Sequence, residues 1–231
     1  RYRDLLFPAV FFGLAAVSEP RLLLGSRSWD LALDALGIAV ALAGQGLRAA
    51  VIGYAYVRRG GRNKSIFADE LVQEGFFAHS RNPLYLGNFL ALAGFCLIHN
   101  SVLGYLVGIP FFAFAYLAIV AAEEDYLRAR FGAAYDEYRR RVPRSLPSLA
   151  GLPETLSTLR FDWKRLVRKE YGSTFAGASC ILALLLWEGY RQFGDPVLKS
   201  RALVLGVVWL PLLLAYLTAR RLKKAGTLGA G

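Results

Sequence analysis

Apolar residues run along the chain in six long stretches that polar and mostly basic segments separate. The stretches lie near residues 5–24, 30–57, 84–99, 102–122, 173–191 and 200–220. Most of them approach or exceed the roughly 20 residues that a helix needs to cross ~30 Å of hydrocarbon. We therefore predict an all-α integral membrane protein with about six transmembrane helices, joined to amphipathic helices on the cytosolic side.

Lysine and arginine are distributed unevenly between the two faces of this predicted bundle. Of the 28 basic residues, 22 fall on the termini and on the second and fourth loops, 5 fall on the other loops, and Arg48 lies inside the second stretch. Basic residues concentrate on the cytoplasmic side of membranes. We expect a multi-pass protein of a bacterial inner membrane with both termini in the cytoplasm. The net charge of +11 then predicts anionic lipid headgroups as partners and argues against nucleic acid.

The cysteines, the histidines and the N-terminal stretch limit the kinds of site and segment that the chain can contain. Cys96 and Cys180 lie inside apolar stretches, where cysteine usually serves as a small buried hydrophobe. With only two histidines in the chain, no Cys/His ligand set for a metal is expected. Residues 1–20 begin like a signal peptide but contain a poor cleavage site, so we predict a first transmembrane helix there. The sequence does not set the oligomeric state.

The loop from residue 123 to residue 170 is predicted to contain two amphipathic helices. "EEDYLRARFGAAYDEYRRRVP" places apolar residues at helical spacing, with a possible break at Gly132 and an end at Pro143. "LRFDWKRLVRKEYG" sets Trp163 among basic residues and predicts an interfacial helix on an anionic leaflet. "PRSLPSLAGLPE" between them is interpreted as a Pro-rich linker.

These elements predict three parts. Residues 1–60 form an N-terminal transmembrane pair, residues 61–150 a core, and residues 151–231 an interfacial helix with a C-terminal transmembrane pair. Within the core, only "IHNS" joins the third and fourth stretches. A link this short requires a tight antiparallel helical hairpin.

Polar residues cluster where that hairpin begins and ends. "HSRNPLYLGN" precedes the third stretch, and Glu123 and Glu124 end the fourth, so both meet at one membrane surface. Pro83 suits the first turn of a helix, whose free backbone N–H groups attract a carboxylate. Arg81 adds a fixed fork of donors for the same anion.

The neighbouring groups favour a small zwitterion that carries an aromatic base. The acidic pair can accept from an ammonium group or ribose hydroxyls, and His79, Tyr85 and Phe76–Phe77 offer flat surfaces for a base or a sulfonium cation. Each residue also has a plainer interpretation, as a cytoplasmic charge, a solvated helix end, an interfacial anchor or a turn. Composition alone does not name the ligand.

The run "SRNPLYLGNF" and the later run "EEDYLRARFGAAYDEYRRRVPR" together resemble the isoprenylcysteine carboxyl methyltransferase and phospholipid methyltransferase superfamily. The shared pattern is R-[HN]-P-x-Y-x-G, an acidic pair, and F-G-x-x-Y-x-x-Y followed by V-P, over roughly residues 70–147. The resemblance implies S-adenosylmethionine as the methyl donor at the cytosolic membrane surface. It also implies a lipophilic substrate that arrives sideways from the bilayer.

The resemblance assigns roles by position. A cofactor pocket would be formed by His79, Ser80, Arg81, Asn82, Pro83, Tyr85, Leu86, Gly87, Glu123 and Glu124. Tyr138, Arg139 and Arg141 would cap this pocket or border the substrate entrance. Arg81, Glu124 and His79 are the candidate catalytic residues. An amine acceptor must lose a proton, for which Glu124 or His79 is the candidate base, whereas a carboxylate acceptor needs none.

The chain departs from this family in two places. The eukaryotic prenylcysteine enzymes carry an arginine about a turn before the acidic pair, where this chain has Ala118 and Ile119. Residues 155–220 extend beyond the family pattern. Phospholipid amines, prenylated thiol-acids and small hydrophobic thiols or acids all stay open as acceptors.

Two other functions stay open. One is an NADPH-dependent membrane reductase of the sterol reductase type, although the acidic pair would repel a phosphate-rich cofactor. The other is a lipid-binding membrane protein without catalysis.

Overall fold

The fold is described by a computed structural model that covers residues 3–54, 59–62, 65–68 and 71–228. Its helices are α1 (Arg3–Val17), α2 (Arg27–Tyr54), α3 (Pro83–His99), α4 (Ile109–Phe131), α5 (Ala133–Arg141), α6 (Leu152–Thr158), α7 (Trp163–Phe193) and α8 (Asp195–Lys224). Short helical turns at Leu23–Gly25, Gly75–Ala78 and Gly104–Gly108 precede α2, α3 and α4. Two short strands, β1 (Arg59–Arg62) and β2 (Ser65–Ala68), form an antiparallel hairpin.

Within the residues that the structure describes, each predicted apolar stretch contains a helix, although α1 ends at Val17 inside the first stretch, and four helices are long and apolar enough to cross a membrane. These four are Arg27–Tyr54, Gly104–Phe131, Trp163–Phe193 and Leu198–Lys224. Helices α1 and α3 are also apolar but contain only 15 and 17 residues. The structure therefore agrees with an integral membrane protein, while the count of six transmembrane helices stays a prediction.

The outer surface of the helices is apolar, as a protein that faces lipid requires. Leu106, Phe114, Leu203 and Leu214 each expose more than half of their side chain. Exposed leucine and phenylalanine in such numbers would be unusual on a soluble monomer. In the bilayer the helices satisfy their backbone hydrogen bonds internally, so their apolar sides can face hydrocarbon.

Helices α2 and α3 pack antiparallel along a seam of four glycines. A Cβ atom on Gly44 would lie 2.5 Å from the carbonyl oxygen of Gly87, and one on Gly94 would lie 2.5 Å from that of Gly37. Real Cβ contacts are never this short, so only glycine allows the two backbones to approach so closely. Small residues serve this purpose in many membrane helix pairs, where close packing replaces the hydrophobic driving force.

The centre of the bundle is an aromatic and aliphatic cluster that joins α1, α3, α4 and α7. The rings of Phe7 and Phe112 lie 5.7 Å apart and those of Phe11 and Phe95 lie 5.8 Å apart, both edge to face. Cys96 is buried in this cluster, as predicted. The cluster holds α1 against the hairpin formed by α3 and α4.

The structure confirms part of the prediction for the cytosolic loop and corrects the rest. Helix α4 ends at Phe131, Gly132 has a φ of 52°, and α5 follows and ends at Arg141, so the predicted break is confirmed. The separate interfacial helix is wrong, because Trp163 begins α7 and the helix continues without interruption to Phe193. A lone Gly172 costs too little to end a helix that tertiary packing supports.

Two further differences from the predicted layout concern the chain outside the long helices. The end of the predicted Pro-rich linker forms the start of the short helix α6, which continues to Thr158, and the β1–β2 hairpin lies in a segment for which only a loop was predicted. Gly60 and Gly61 and the basic residues around them give no alternating pattern that would predict strands. The division of the chain at residues 60 and 150 stays a prediction.

The glycine seam predicts a specific pattern of stability. Gly44→Ala should destabilise the protein by about 1–3 kcal/mol, because the added methyl group forces α2 and α3 apart. The matched control is Gly46→Ala on the same helix, where nothing lies within 4 Å. That control should be neutral or slightly stabilising, since alanine favours a helix over glycine by about 0.5–1 kcal/mol. Thermal unfolding in detergent measures both, and equal midpoints would contradict the close packing.

Candidate functional site

A short polar turn before α3 is held in place by the segment that follows α5. We call residues 79–83 the polar turn and residues 143–148 the docking segment. The backbone N–H of Arg81 donates to the carbonyl of Pro143 at 2.9 Å, and that of Ser148 donates to the carbonyl of His79 at 2.9 Å. The hydroxyl of the buried Ser80 donates to the carbonyl of Ser145 at 2.9 Å. These bonds fix the backbone of the turn from both sides.

Asn82 and Pro83 set the start of α3. Pro83 lies in the first turn of the helix, as predicted. The side chain of Asn82 does not cap the helix and instead donates to the carbonyl of Arg144 at 2.9 Å. The first N–H groups of α3 therefore receive no side-chain cap from the residue that normally supplies one.

The carboxylate of Glu124 lies between two guanidinium groups. Glu124 is 3.0 Å from Arg81 and 3.0 Å from Arg144, and the side chains of Glu124 and Arg81 are only 12% and 10% exposed. Asn82 approaches the same carboxylate at 3.5 Å. The predicted meeting of the polar turn with the acidic pair is confirmed. Arg144 was not predicted, because the docking segment was interpreted as a linker.

His79 is buried, and both of its ring nitrogens are engaged. Nδ1 lies 2.9 Å from the carbonyl oxygen of Ser148, and Nε2 lies 2.9 Å from the hydroxyl of Thr155 in α6. A ring in this position joins the polar turn to the docking segment and to α6. The predicted roles of His79, as a base and as an aromatic surface for the cofactor, stay predictions.

Helix α5 packs beneath the turn through two buried tyrosines. The hydroxyl of Tyr138 donates to the carbonyl of Phe77 at 2.7 Å. Burial raises the pKa of Tyr135, and the nearby Glu124 carboxylate raises it further, so this phenol stays protonated at neutral pH. Both side chains are about 1% exposed, and the predicted role of Tyr138 as a cap on the pocket or a border of the substrate entrance stays a prediction.

Arg139 and Arg141 lie on the exposed side of α5. Arg139 is 3.8 Å from Asp136, and Arg141 is 3.4 Å from Glu137. Arg141 also donates to Gln73 at 3.1 Å. Surface ion pairs of this kind contribute little to stability. Their predicted position beside a substrate entrance stays a prediction.

A cavity of about 820 Å³ opens beside the polar turn and extends into the apolar part of the bundle. Ligand cavities in proteins usually measure about 300–1,000 Å³. The turn and the acidic pair contribute Asn82, Pro83 and Glu123, and the first turns of α3 contribute Tyr85. Aromatic side chains form much of the remaining wall, among them Phe7, Phe11, Phe12, Phe95 and Tyr116.

The predicted site residues thus separate into a lining and a support. The lining contains Asn82, Pro83, Tyr85 and Glu123. The support behind it contains His79, Ser80, Arg81 and Glu124, which hold the turn through the contacts described above. Leu86 and Gly87 do not line the cavity, and Gly87 faces Gly44 and Arg48 across the glycine seam.

Sequence reasoning missed a second polar group in the cavity wall. Arg48 of α2 and Asn88 of α3 line the cavity, together with Gln45 and Ser173. Arg48 donates to Asn88 and forms an ion pair with Glu170 of α7, with a closest distance of 2.6 Å. An arginine inside an apolar stretch was the available signal, since such residues in membrane helices usually face the bundle interior and serve a function.

Comparison with known proteins shows that the part of the chain around this site matches a protein family. Residues 34–134 match the phospholipid methyltransferase family. The match contains the polar turn, α3, α4 and the acidic pair. It confirms the resemblance that the sequence motifs predicted, and it ends before the docking segment, α6, α7 and α8.

Two curated relatives match parts of the chain. A protein-S-isoprenylcysteine O-methyltransferase of Schizosaccharomyces pombe is 36% identical over 78 residues, which are 33% of this chain and 33% of that protein. The nickel-cobalt-cadmium resistance protein NccN of Alcaligenes xylosoxydans xylosoxydans is 33% identical over 81 residues, 35% of this chain and 38% of that protein. The matches therefore span little more than a third of either relative. No solved structure matches the chain.

Because Arg144 pairs with the largely buried Glu124, we expect its replacement to lower stability more than replacement of Arg140 does. Arg144→Gln should destabilise the protein by about 1–2 kcal/mol, because a largely buried carboxylate loses a charged hydrogen-bond partner. Arg140→Gln is the control, since the pair of Arg140 with Glu137 is mostly exposed and its loss should leave stability nearly unchanged. Thermal unfolding in detergent compares them, and equal losses would contradict the special position of Arg144.

Proposed function

We propose that the chain is an S-adenosylmethionine-dependent membrane methyltransferase that moves a methyl group to a lipophilic acceptor at the cytosolic face. One observation carries the proposal. A single cavity begins at the polar turn and the acidic pair, inside the region that matches the phospholipid methyltransferase family, and continues among apolar side chains of α1, α3 and α4. A polar cofactor and a lipid chain require these two environments next to each other.

The residues at the polar end of the cavity fit the cofactor. Glu123 offers a carboxylate for an ammonium group or for ribose hydroxyls, and Tyr85 offers an aromatic face for a base or a cation. The start of α3 carries a partial positive charge that suits a carboxylate. Asn82, Tyr85 and Glu123 would contact the cofactor, while Arg81 and Glu124 would hold the backbone around it. When bound, S-adenosylmethionine supplies a methyl group on a positively charged sulfur.

In this mechanism the side chains of the cavity orient the two reactants and exclude water. The aromatic wall holds the acceptor's apolar part beside the polar end, so that the two reactants are held together in one orientation. The same wall keeps water away from a reaction in which the sulfur loses its positive charge. For an amine acceptor, we assign removal of the proton to the carboxylate of Glu123, which lines the cavity. Neither Glu124 nor His79 lines the cavity.

The orientation in the membrane follows from where the basic residues gather. Arg168 near the start of α7 contacts the carbonyl of Leu228, and Lys223 of α8 lies 5.1 Å from the ring of Tyr171. The start of α7 and the end of α8 therefore share one end of the bundle. Anionic headgroups of the cytoplasmic leaflet are the proposed partners of this basic end. Both termini are then cytoplasmic, and a bacterial inner membrane is the proposed location.

The proposal is tested by methyl transfer from a labelled donor. Purified protein in lipid nanodiscs is given isotopically labelled S-adenosylmethionine and total membrane lipid, and mass spectrometry identifies the lipid that gains a labelled methyl group. We expect a labelled lipid product. The acceptor identified in this way also decides between a phospholipid amine, a prenylated thiol-acid and a small hydrophobic thiol or acid.

Binding measurements on the same sample separate the alternative functions. The proposal predicts binding of S-adenosylmethionine without binding of NADPH. Binding of NADPH alone would favour a membrane reductase of the sterol reductase type. Binding of lipid without turnover of any extract would favour a non-catalytic lipid-binding protein.

Three neighbouring carboxylates allow a matched set of variants. Glu124→Ala should abolish binding of S-adenosylmethionine, because the turn loses the anion on which Arg81 and Arg144 converge. Glu123→Gln should keep the fold and lower transfer to an amine acceptor by roughly 100-fold or more. Asp125→Asn is the control, since Asp125 is exposed on the same helix. Unchanged cofactor affinity in Glu124→Ala would remove Glu124 from the site.

A further inference from the structure

Arg48 lies where a charged side chain is costly unless it has a function or a partner. It lies in α2, six residues before Tyr54, where the helix ends, so it is about 9 Å from that end at 1.5 Å per residue. Its side chain is 17% exposed. Charged residues inside apolar membrane helices face the bundle interior or a cavity and commonly mark the path of a substrate.

The guanidinium group is held rigidly from one side. Its Nε donates to Oε2 of Glu170 at 3.0 Å, and its Nη2 donates to Oε1 at 2.6 Å, which is a two-pronged ion pair. Glu170 is buried and also accepts from Gln45 at 3.1 Å and from Ser173 at 2.8 Å. Every bond to Glu170 therefore acts to fix the orientation of Arg48.

The other side of the same group is available to a ligand. A guanidinium group has five N–H donors, and three of them are used among the residues that the structure describes. These three bond to the two oxygens of Glu170 and to Oδ1 of Asn88. One N–H on each terminal nitrogen is left. Arg48 and Asn88 both line the cavity, whereas Glu170 does not.

We infer that Arg48, oriented by Glu170 and assisted by the amide of Asn88, binds an anionic group of the acceptor. The inference rests on the proposed methyl transfer and names the chemistry of its substrate, a lipid that carries a phosphodiester or a carboxylate. Both anions present oxygens that match a guanidinium fork. The positions before the acidic pair that hold Ala118 and Ile119 provide no such cation, and Arg48 provides one to the same cavity from a different helix.

The contribution of α7 gives the long C-terminal extension a role in this site. Glu170 and Ser173 lie on α7, outside the region that matches the phospholipid methyltransferase family. Glu170 acts through Arg48 and is a positioning residue. The extension would then decide how the acceptor's polar group is held, while the matched region holds the cofactor.

A purely structural ion pair between α2 and α7 is the competing explanation, and a double variant separates the two. Arg48→Gln alone leaves the buried Glu170 without its charged partner and can disturb folding. Arg48→Gln/Glu170→Gln removes both charges, so the fold should tolerate it better. Affinity for S-adenosylmethionine and thermal unfolding check the integrity of this variant. Arg48→Lys keeps the charge but loses the fork, and it serves as a second variant.

The readout is the KM for four acceptors in two pairs. Phosphatidylethanolamine is compared with a long-chain alkylamine that has no phosphate, and a prenylcysteine carboxylate is compared with a prenyl thiol. The double variant should raise the KM for the anionic acceptor that the wild type uses by roughly 10- to 100-fold, the effect of losing a charged hydrogen bond. A rise in KM for phosphatidylethanolamine indicates that Arg48 binds a phosphodiester, and a rise for the prenylcysteine indicates that it binds a carboxylate.

A second ion pair provides the matched control. Arg191 and Glu19 pair at the opposite end of the bundle, so Arg191→Gln/Glu19→Gln should leave every KM unchanged. If the Arg48 double variant has the same KM for the anionic acceptor as the wild type, the inference is overturned. It is also overturned if the wild type methylates only the alkylamine and the prenyl thiol, which carry no anion. In both of these cases the proposed function stands. Failure of the wild type to transfer a methyl group to any lipid would overturn the proposed function itself.

Discussion

A carboxylate removed from water must be paired, and Glu124 meets this requirement by joining three distant parts of the chain. Arg81 comes from the turn before α3, Arg144 comes from the segment after α5, and Glu124 itself ends the apolar part of α4. Because neither guanidinium group can leave without exposing a buried charge, the turn and the docking segment stay in register. The position of Glu123, one residue before Glu124 and in the cavity wall, follows from that arrangement.

The cavity wall shows a second use of the same principle deeper in the bundle. Arg48 and Glu170 are 122 residues apart in the chain and come from α2 and α7, yet they form a close ion pair beside an otherwise aromatic space. The two ion pairs differ in what they hold. Glu124 holds backbone segments, whereas Glu170 holds a single side chain that faces the cavity.

Local chemistry made part of this structure predictable. Pro83 predicted the start of α3, Gly132 predicted the break between α4 and α5, and a four-residue link predicted the hairpin that brings the polar turn to the acidic pair. Each prediction depends on a residue type or a length that restricts its own neighbourhood. The motifs also located the polar part of the candidate site, although only Asn82, Pro83, Tyr85 and Glu123 of the predicted residues line the cavity.

The features that the sequence did not reveal depend on contacts between distant segments. Proline and serine in residues 143–148 indicated a linker, but the carbonyls there accept hydrogen bonds from the polar turn. Trp163 among basic residues indicated a helix on the membrane surface, yet those residues form the first turns of α7. Gly87 fits the family motif, and its close approach to Gly44 cannot be read from its own neighbours.

The glycine seam between α2 and α3 also limits how the protein can move. With the carbonyl of Gly87 only 2.5 Å from where a Cβ of Gly44 would lie, the two backbones are in direct contact at this point and leave no room for a larger side chain. They behave as one rigid wall of the cavity. Phe12 of α1 lines the cavity while more than half of its side chain is exposed, so the cavity wall reaches the outer surface of the bundle on the side of α1.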